Sequence, residues 1–107
     1  MINLSWDGDS LISKFYGDID HFSCAEIREV LDCEIQNRSP QSLILDLTHV
    51  DFMDSSGIGV IMGRYKKLKD RGGKMFFKGI NPRIDRLVKL SGLLQIIKPI
   101  DSEKRGA

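Results

Sequence analysis

The sequence predicts an α/β fold, with a mixed and mostly parallel sheet of about five strands and helices packed against it. Short apolar runs alternate with longer stretches in which apolar residues recur at helical spacing, which is typical of β-α-β units. The first two runs are separated only by Asp7-Gly8-Asp9, a turn-forming trio that indicates an antiparallel hairpin. At 107 residues, the chain is long enough for one hydrophobic core and too short for two.

The first half of the chain is predicted to contain a hairpin, a helix and a central strand. Residues 3–6 and 11–16 are the hairpin strands. Ser23 precedes Glu26 by three residues, the capping-box spacing, so we expect Ser23 to cap the first helix. The nearly unbroken apolar run at 42–47 suits a strand covered on both faces, which places it at the centre of the sheet.

The second half is predicted to add two helices and two strands. One helix begins near Ser56 and ends at Gly72, and the strand 74–78 follows it. The apolar stripe of this helix comprises Ile58, Ile61, Met62, Tyr65 and Leu68. Asn81-Pro82 provides an N-cap and a first-turn proline for a third helix, and 95–100 is the last short strand.

The composition excludes several functional classes. Sixteen basic and fifteen acidic residues give a net charge of +1, so no strong charge favours nucleic acid or an anionic membrane as a partner. No apolar run approaches the roughly 20 residues of a membrane span, and Met1 to Trp6 lack the pattern of an export signal. We therefore expect one cytoplasmic domain over residues 1–100, followed by a charged tail at 101–107.

The cysteines and histidines predict neither a disulfide nor a metal site. Cys24 and Cys33 are nine residues apart in the first predicted helix, which places them on opposite faces and too far apart to bond. We expect both to be reduced thiols. His21 and His49 are isolated in sequence, and no group of residues has the spacing of zinc ligands.

The most informative stretch is the join between the central strand and the second helix. Asp54 and Ser55 come at the start of that helix, where free N–H groups and the helix dipole favour an anion, including a phosphoryl group on a serine. Ser55 is therefore a candidate switch. Asp20 follows the second strand, and parallel strands end at one edge, so the two acidic segments are expected to converge. On the pattern alone, helix capping is the simpler explanation of these residues.

The same stretch lacks the motifs of familiar enzymes. A nucleophile elbow requires glycine where Met53 stands, and Gly57-Ile58-Gly59 has neither the lysine of a phosphate-binding loop nor a complete dinucleotide fingerprint. The glycines at 57, 59 and 63 are costly inside a helix, which indicates that something approaches closely there. The basic run from 64 to 71 is interpreted as a solvated helix face.

Three segments carry a resemblance to a known family. Residues 52–66, Phe-Met-Asp-Ser-Ser-Gly-Ile-Gly-Val-Ile-Met-Gly-Arg-Tyr-Lys, closely resemble the phosphoacceptor region of bacterial anti-sigma factor antagonists, which are stand-alone STAS domains. Residues 17–21 are similar to the family's Gly-Glu-Leu-Asp-His turn, with Asp at 18, and residues 91–97 to the end of its third helix. Gly-Arg-Tyr-Lys at 63–66 is most like the sporulation sigma F branch.

The resemblance implies a phosphorylation-switched binding module that is not itself an enzyme and uses no cofactor or metal. The unmodified antagonist binds an anti-sigma factor, which is a serine kinase; phosphorylation releases it and a serine phosphatase resets it. By position, the phosphoacceptor is Ser55. The residues implied in partner binding are Asp20, His21, Asp54, Ser56, Gly57, Ile58 and Gly59. The family usually has one more helix after the last strand, which we expect to be missing or severely shortened before residue 107.

Three alternatives remain at this point. One is an antagonist of another sigma factor, such as the general stress branch. Another is a domain that binds a small anion or a nucleotide directly at the Ser55 helix start. The least favoured is a phosphoryl-transfer enzyme that uses Ser55 and Asp20, because no phosphate loop or metal cluster accompanies them.

Overall fold

A computed structural model describes residues 1–100, which form one five-stranded sheet and three α-helices. The tail predicted at 101–107 lies outside the described residues. Among the described residues, no helix has the length and apolar character that a membrane span requires. The strands are β1 (Ile2–Asp7), β2 (Ser10–Tyr16), β3 (Ser42–His49), β4 (Lys74–Lys78) and β5 (Lys98–Pro99), and the helices are α1 (His21–Arg38), α2 (Ser55–Asp70) and α3 (Pro82–Leu90).

The sheet confirms the predicted architecture. Its strands lie in the order β1-β2-β3-β4-β5, so β3 is central. The β1–β2 hairpin is antiparallel, and every later pair is parallel. Because each crossover moves one strand along in the same direction, right-handed connections carry all three helices to the same face. The carboxyl ends of β2 and β3 therefore meet the starts of α1 and α2 at one edge.

The core lies between that face and the helices. Leu43, Leu45 and Leu47 alternate along β3 and are fully or almost fully buried. They belong to the same buried cluster as Leu31 of α1 and Val88 of α3. Burial of such side chains contributes about 1.5–3 kcal/mol each, so this single cluster holds the sheet and the helices together.

Two details of the predicted elements are wrong. The N-cap of α1 is Asp20, and Ser23 instead supplies the third-residue (N3) side chain of its capping box. The second helix begins at Ser55, within one residue of the predicted start. The predicted last strand is reduced to β5, because Gly92 adopts φ +82° and Leu93–Gln95 turns as a short 3-10 helix before the chain rejoins the sheet.

The basic run on α2 is only partly solvated, because Arg64 points inward. Its side chain is buried, and its Nε lies 2.7 Å from Oδ1 of Asp32 on α1. Lys67 Nζ donates to the other oxygen of Asp32 at 2.9 Å. Burial lowers the pKa of Arg64, whereas the Asp32 charge raises it. The pair therefore joins α1 to α2 across the surface of the core.

We predict that Asp32→Ala lowers the free energy of unfolding by about 2–3 kcal/mol, because it leaves the Arg64 charge buried without its partner. The expected loss is smaller than that for breaking a completely buried ion pair, because the Asp32 side chain is 24% exposed. Urea unfolding measures the change. Asp85→Ala is the matched control, because it breaks the more exposed Asp85–Lys89 pair within α3 and should cost only about 0.3–0.5 kcal/mol. Equal losses in the two variants would contradict a structural role for the Arg64 pair.

Candidate functional site

Two loops that the sequence predicts to converge are joined by backbone hydrogen bonds. Ile19, after β2, and Met53, after β3, form an isolated parallel bridge. The Ile19 N–H donates to the Phe52 carbonyl at 3.0 Å, and the Asp54 N–H donates to the Ile19 carbonyl at 3.3 Å. The bridge extends the parallel pairing beyond the strands, which brings the starts of α1 and α2 side by side and confirms the predicted convergence.

Each of these helices starts at an aspartate cap. Asp20 Oδ1 accepts from the N–H groups of Phe22 and Ser23 at 3.0 Å each, and Ser23 Oγ accepts from the Asp20 N–H at 3.0 Å. Asp54 Oδ1 accepts from the N–H groups of Ser56 at 2.8 Å and Gly57 at 3.4 Å. Both carboxylates are half-buried. Each carboxylate accepts hydrogen bonds from backbone N–H groups that have no partner within the helix. It thereby fixes the direction of the first helical turn relative to the edge of the sheet.

Ser55 is the first residue of α2, and it is exposed. Ser56 and Ile58 are half-buried, and Gly59 is exposed one turn after Ser55. His21 is exposed at the start of α1. The helix start therefore presents a serine hydroxyl to solvent, with a capping carboxylate directly before it.

The glycines of α2 fall into two groups. A Cβ on Gly57 would lie 2.8 Å from Met53 Sδ and 3.0 Å from Ile19 Cγ2, so Gly57 is needed for close packing beneath the bridge. Gly57 is buried and is not part of the exposed surface, unlike its predicted neighbours. A Cβ on Gly59 or Gly63 would meet nothing within 4 Å. Packing among the described residues therefore gives no reason for these two glycines, although each lowers the stability of the helix.

Two aromatic residues at this edge were not identified from the sequence. The Phe22 side chain is 88% exposed in the first turn of α1, and Phe52 is 43% exposed in the bridged loop. An apolar residue at such positions looks in sequence like one that packs into the core. Only the phase of α1 could have indicated otherwise, because its buried positions, Cys24, Ile27, Leu31 and Ile35, place residue 22 on the opposite face.

Cys24 lies under the pair of helix starts, whereas Cys33 is exposed further along α1. Both are free thiols, as predicted. Burial raises the pKa of the Cys24 thiol, and the charges of Asp54 and Asp20 raise it further, against a smaller opposing effect of Arg28. The thiol is therefore kept protonated and unreactive at neutral pH.

The geometry fits presentation of a hydroxyl better than ion chemistry. No group of three or more His, Cys, Asp or Glu side chains that could hold a metal ion occurs within residues 1–100. The oxygen of each capping aspartate that accepts the N–H bonds is already engaged by its own helix. What the site offers a partner is one exposed serine, two carboxylates and two exposed aromatic rings on a rigid edge.

Comparison with known proteins identifies similar sequences. The STAS domain family profile matches residues 2–106. The chain is 41% identical over 93 residues to the anti-sigma F factor antagonist of Paenibacillus polymyxa, covering 87% of this chain and 80% of the relative. It is 35% identical over 102 residues to the anti-sigma-B factor antagonist of Listeria monocytogenes, covering 94% of this chain and 89% of the relative.

Solved structures share the fold. A putative anti-sigma factor antagonist from Thermotoga maritima superposes with a TM-score of 0.89 at 22% identity, covering 98% of this chain and 92% of that one. The Bacillus cell fate determinant SpoIIAA, solved in its phosphorylated form, superposes with a TM-score of 0.77 at 23% identity, covering 98% and 96%.

We predict that the Cys24 thiol makes stability fall at alkaline pH. Because its pKa is raised in the folded protein, the unfolded chain loses this proton first, from a pKa of about 8.5. The free energy of unfolding should therefore decrease as the pH rises above that value. Between about pH 8 and pH 10, the free energy of unfolding should decrease less steeply in Cys24→Ala than in Cys33→Ala, as measured by urea unfolding. Cys33→Ala is the control because it removes the exposed thiol. Identical slopes would contradict the raised pKa.

Proposed function

The chain belongs to the STAS domain family, and from this membership we propose that it is an anti-sigma factor antagonist switched by phosphorylation of Ser55. In its unmodified form it binds an anti-sigma factor that is also a serine kinase, and so releases the sigma factor. Phosphorylation by that kinase ends the interaction, and a serine phosphatase restores it. The names of the relatives at 41% and 35% identity support the antagonist function.

The observation that carries the switch is the position of Ser55. Its side chain is exposed at the first position of α2, immediately after the Asp54 cap. The positive end of the helix dipole stabilises negative charge there, so the antagonist's own fold can accept a phosphoryl group of about −1.5 to −2 charge. We propose that modification changes the docking surface and leaves the core in place.

The same arrangement explains how the modification would disrupt binding. Asp54 and Asp20 already place two carboxylates at this edge, and their loops are held together by the Ile19–Met53 bridge. A phosphoryl group on Ser55 adds charge and bulk where a partner would have to approach closely. Repulsion and steric exclusion then act together at the interface, and no refolding is needed.

The remaining partner residues fit one surface. Ser56, Ile58 and Gly59 continue along α2 from Ser55, and His21 lies across the bridge at the start of α1. In this proposal the kinase supplies the nucleotide, the metal ion and the catalytic base. The antagonist supplies the hydroxyl, is not an enzyme and uses no cofactor.

We also propose where the protein acts and which branch of sigma factors it controls. A protein that controls a sigma factor acts where transcription occurs, so we propose that it is cytoplasmic and acts without touching nucleic acid or membrane. We favour the sporulation sigma F branch over the general stress branch, because identity is higher to the sigma F relative than to the sigma B one. Binding measured against an anti-sigma factor of each branch would decide between them.

We predict that incubation with the anti-sigma kinase, ATP and magnesium adds one phosphoryl group to the protein and none to Ser55→Ala. The reason is that Ser55 provides the exposed hydroxyl at the helix start. Intact-mass and peptide mass spectrometry measure the modification. Ser56→Ala is the matched control and should still be modified. If an active kinase phosphorylated Ser55→Ala, the phosphoacceptor would be a different residue. If it did not modify the wild type, the protein would have a different partner or would bind an anion directly.

We predict that Gly59→Ala stabilises the free protein but weakens its binding to the anti-sigma factor. The added methyl group meets nothing in the chain, so helix propensity should raise the free energy of unfolding by about 0.5–1 kcal/mol. At a close-packed interface the same methyl group costs about 1–3 kcal/mol, or roughly five- to 150-fold in affinity. Urea unfolding and isothermal titration calorimetry measure the two effects.

Gly57→Ala is the matched contrast for this test, because its Cβ would collide with Met53 and Ile19. It should lose stability in the free protein. If Gly59→Ala bound its partner as tightly as the wild type, Gly59 would not lie in the interface.

A further inference from the structure

We propose that Phe22 is an aromatic anchor that inserts into an apolar pocket of the anti-sigma factor, so that the docking surface includes the first turn of α1 as well as the start of α2. This inference rests on the proposed function. It names a residue outside both the motif around Ser55 and the turn at 17–21, and it extends the α1 part of the docking surface beyond His21.

The first observation is the exposure of Phe22. Its side chain is 88% exposed, although burial of a phenylalanine side chain is favourable. Leu90, at the end of α3, is comparably exposed at 82%, and Met1 at the N-terminus is 77% exposed. A single exposed apolar residue is common on protein surfaces, but the position of Phe22 and the way it is held set it apart.

The second observation is that Phe22 is held on a rigid support. Its N–H donates to Asp20 Oδ1 at 3.0 Å, within a capping box that Ser23 completes. The His21 ring packs edge-on against the Phe22 ring, with centroids 5.8 Å apart. The backbone below the ring is thus fixed before any partner arrives. An anchor ordered in advance loses little conformational entropy on binding, which is the usual condition for a strong contact.

The third observation is continuity with the Ser55 surface. Phe22 follows Ile19 by three residues, and Ile19 is bridged to Met53, two residues before Ser55. The partly exposed Phe52 lies in the same bridged pair, and its carbonyl accepts the Ile19 N–H. Phe22 and Phe52 are therefore exposed aromatic residues of the two bridged segments that also carry the capping aspartates and the serines. Interfaces combine such aromatic anchors with polar surroundings, and the anchors contribute most of the affinity.

An anchor on α1 also explains how phosphorylation of Ser55 would lower the affinity for the partner. The ring of Phe22 is uncharged, so a phosphoryl group on Ser55 would not act on the ring directly. The phosphoryl group would work by keeping the two surfaces from closing, which withdraws the ring from its pocket. Affinity would come largely from α1, and control of that affinity from α2.

The test is the affinity of purified Phe22→Ala for the anti-sigma factor, measured by isothermal titration calorimetry with the unphosphorylated full chain. We expect a loss of roughly thirtyfold or more, as for a residue that dominates an interface. Phe22→Leu should restore most of the affinity, because an apolar pocket accepts it. Leu90→Ala is the matched control: Leu90 is equally exposed but lies at the end of α3, at the opposite edge of the sheet, and its removal should change affinity less than twofold.

Two further measurements separate anchoring from a structural role. The thermal midpoint of Phe22→Ala should equal that of the wild type, because the side chain is almost entirely exposed. In phosphorylation assays, the KM of the kinase for this variant should rise while kcat is unchanged, since the ring contributes to binding and not to the chemical step.

The inference is overturned if the wild type binds the anti-sigma factor and Phe22→Ala binds it within threefold as well. An equal loss of affinity in Leu90→Ala would also overturn it, because the effect would then not be specific to the docking edge. Absence of binding by the wild type itself would instead overturn the proposed function, and with it this extension.

Discussion

The parallel bridge between Ile19 and Met53 is the constraint on which the site depends. It is a small addition to the sheet, with the Ile19 N–H bonded to the Phe52 carbonyl and the Asp54 N–H to the Ile19 carbonyl. It nevertheless fixes the relative position of two helix starts that come from different β-α units. Gly57 allows this closeness, because any side chain there would enter the space occupied by Met53 and Ile19. The exposed residues at this edge therefore act as one surface.

Local patterns explain which parts of this structure the sequence could predict. The apolar run of β3, the turn at Asp7-Gly8-Asp9 and the Asn81-Pro82 helix start each have a signal within a few residues, and each was predicted correctly. Capping was harder, since Asp20 and Ser23 are both good caps and both take part in the capping box, with Asp20 as the N-cap and Ser23 at the third helical position. Arg64 was misread because its partner, Asp32, lies on another helix. The exposure of Phe22 is also a tertiary property.

Stability and recognition make opposite demands on α2. Its interior holds glycines at 59 and 63, which lower helix stability and gain no contact among residues 1–100 in return. The helix is held instead by the Asp54 cap at its start and by the Arg64–Asp32 pair further along. The Arg64–Asp32 pair and the proposed recognition surface thus lie on different sides of one helix. This separation leaves the exposed side free to follow the needs of a partner.

The burial of Arg64 bears on how such proteins diversify. Gly-Arg-Tyr-Lys at 63–66 is the stretch most like the sporulation sigma F branch, yet Arg64 is only 6% exposed and pairs with Asp32 inside the molecule. Buried in this way, the Arg64 side chain joins two helices and is not available for direct contact with a partner. The edge around residues 20–22 and 52–59 could therefore change to suit another partner while the Arg64–Asp32 pair is kept. The contact that joins the two helices and the residues that would select a partner then lie in separate parts of one short chain.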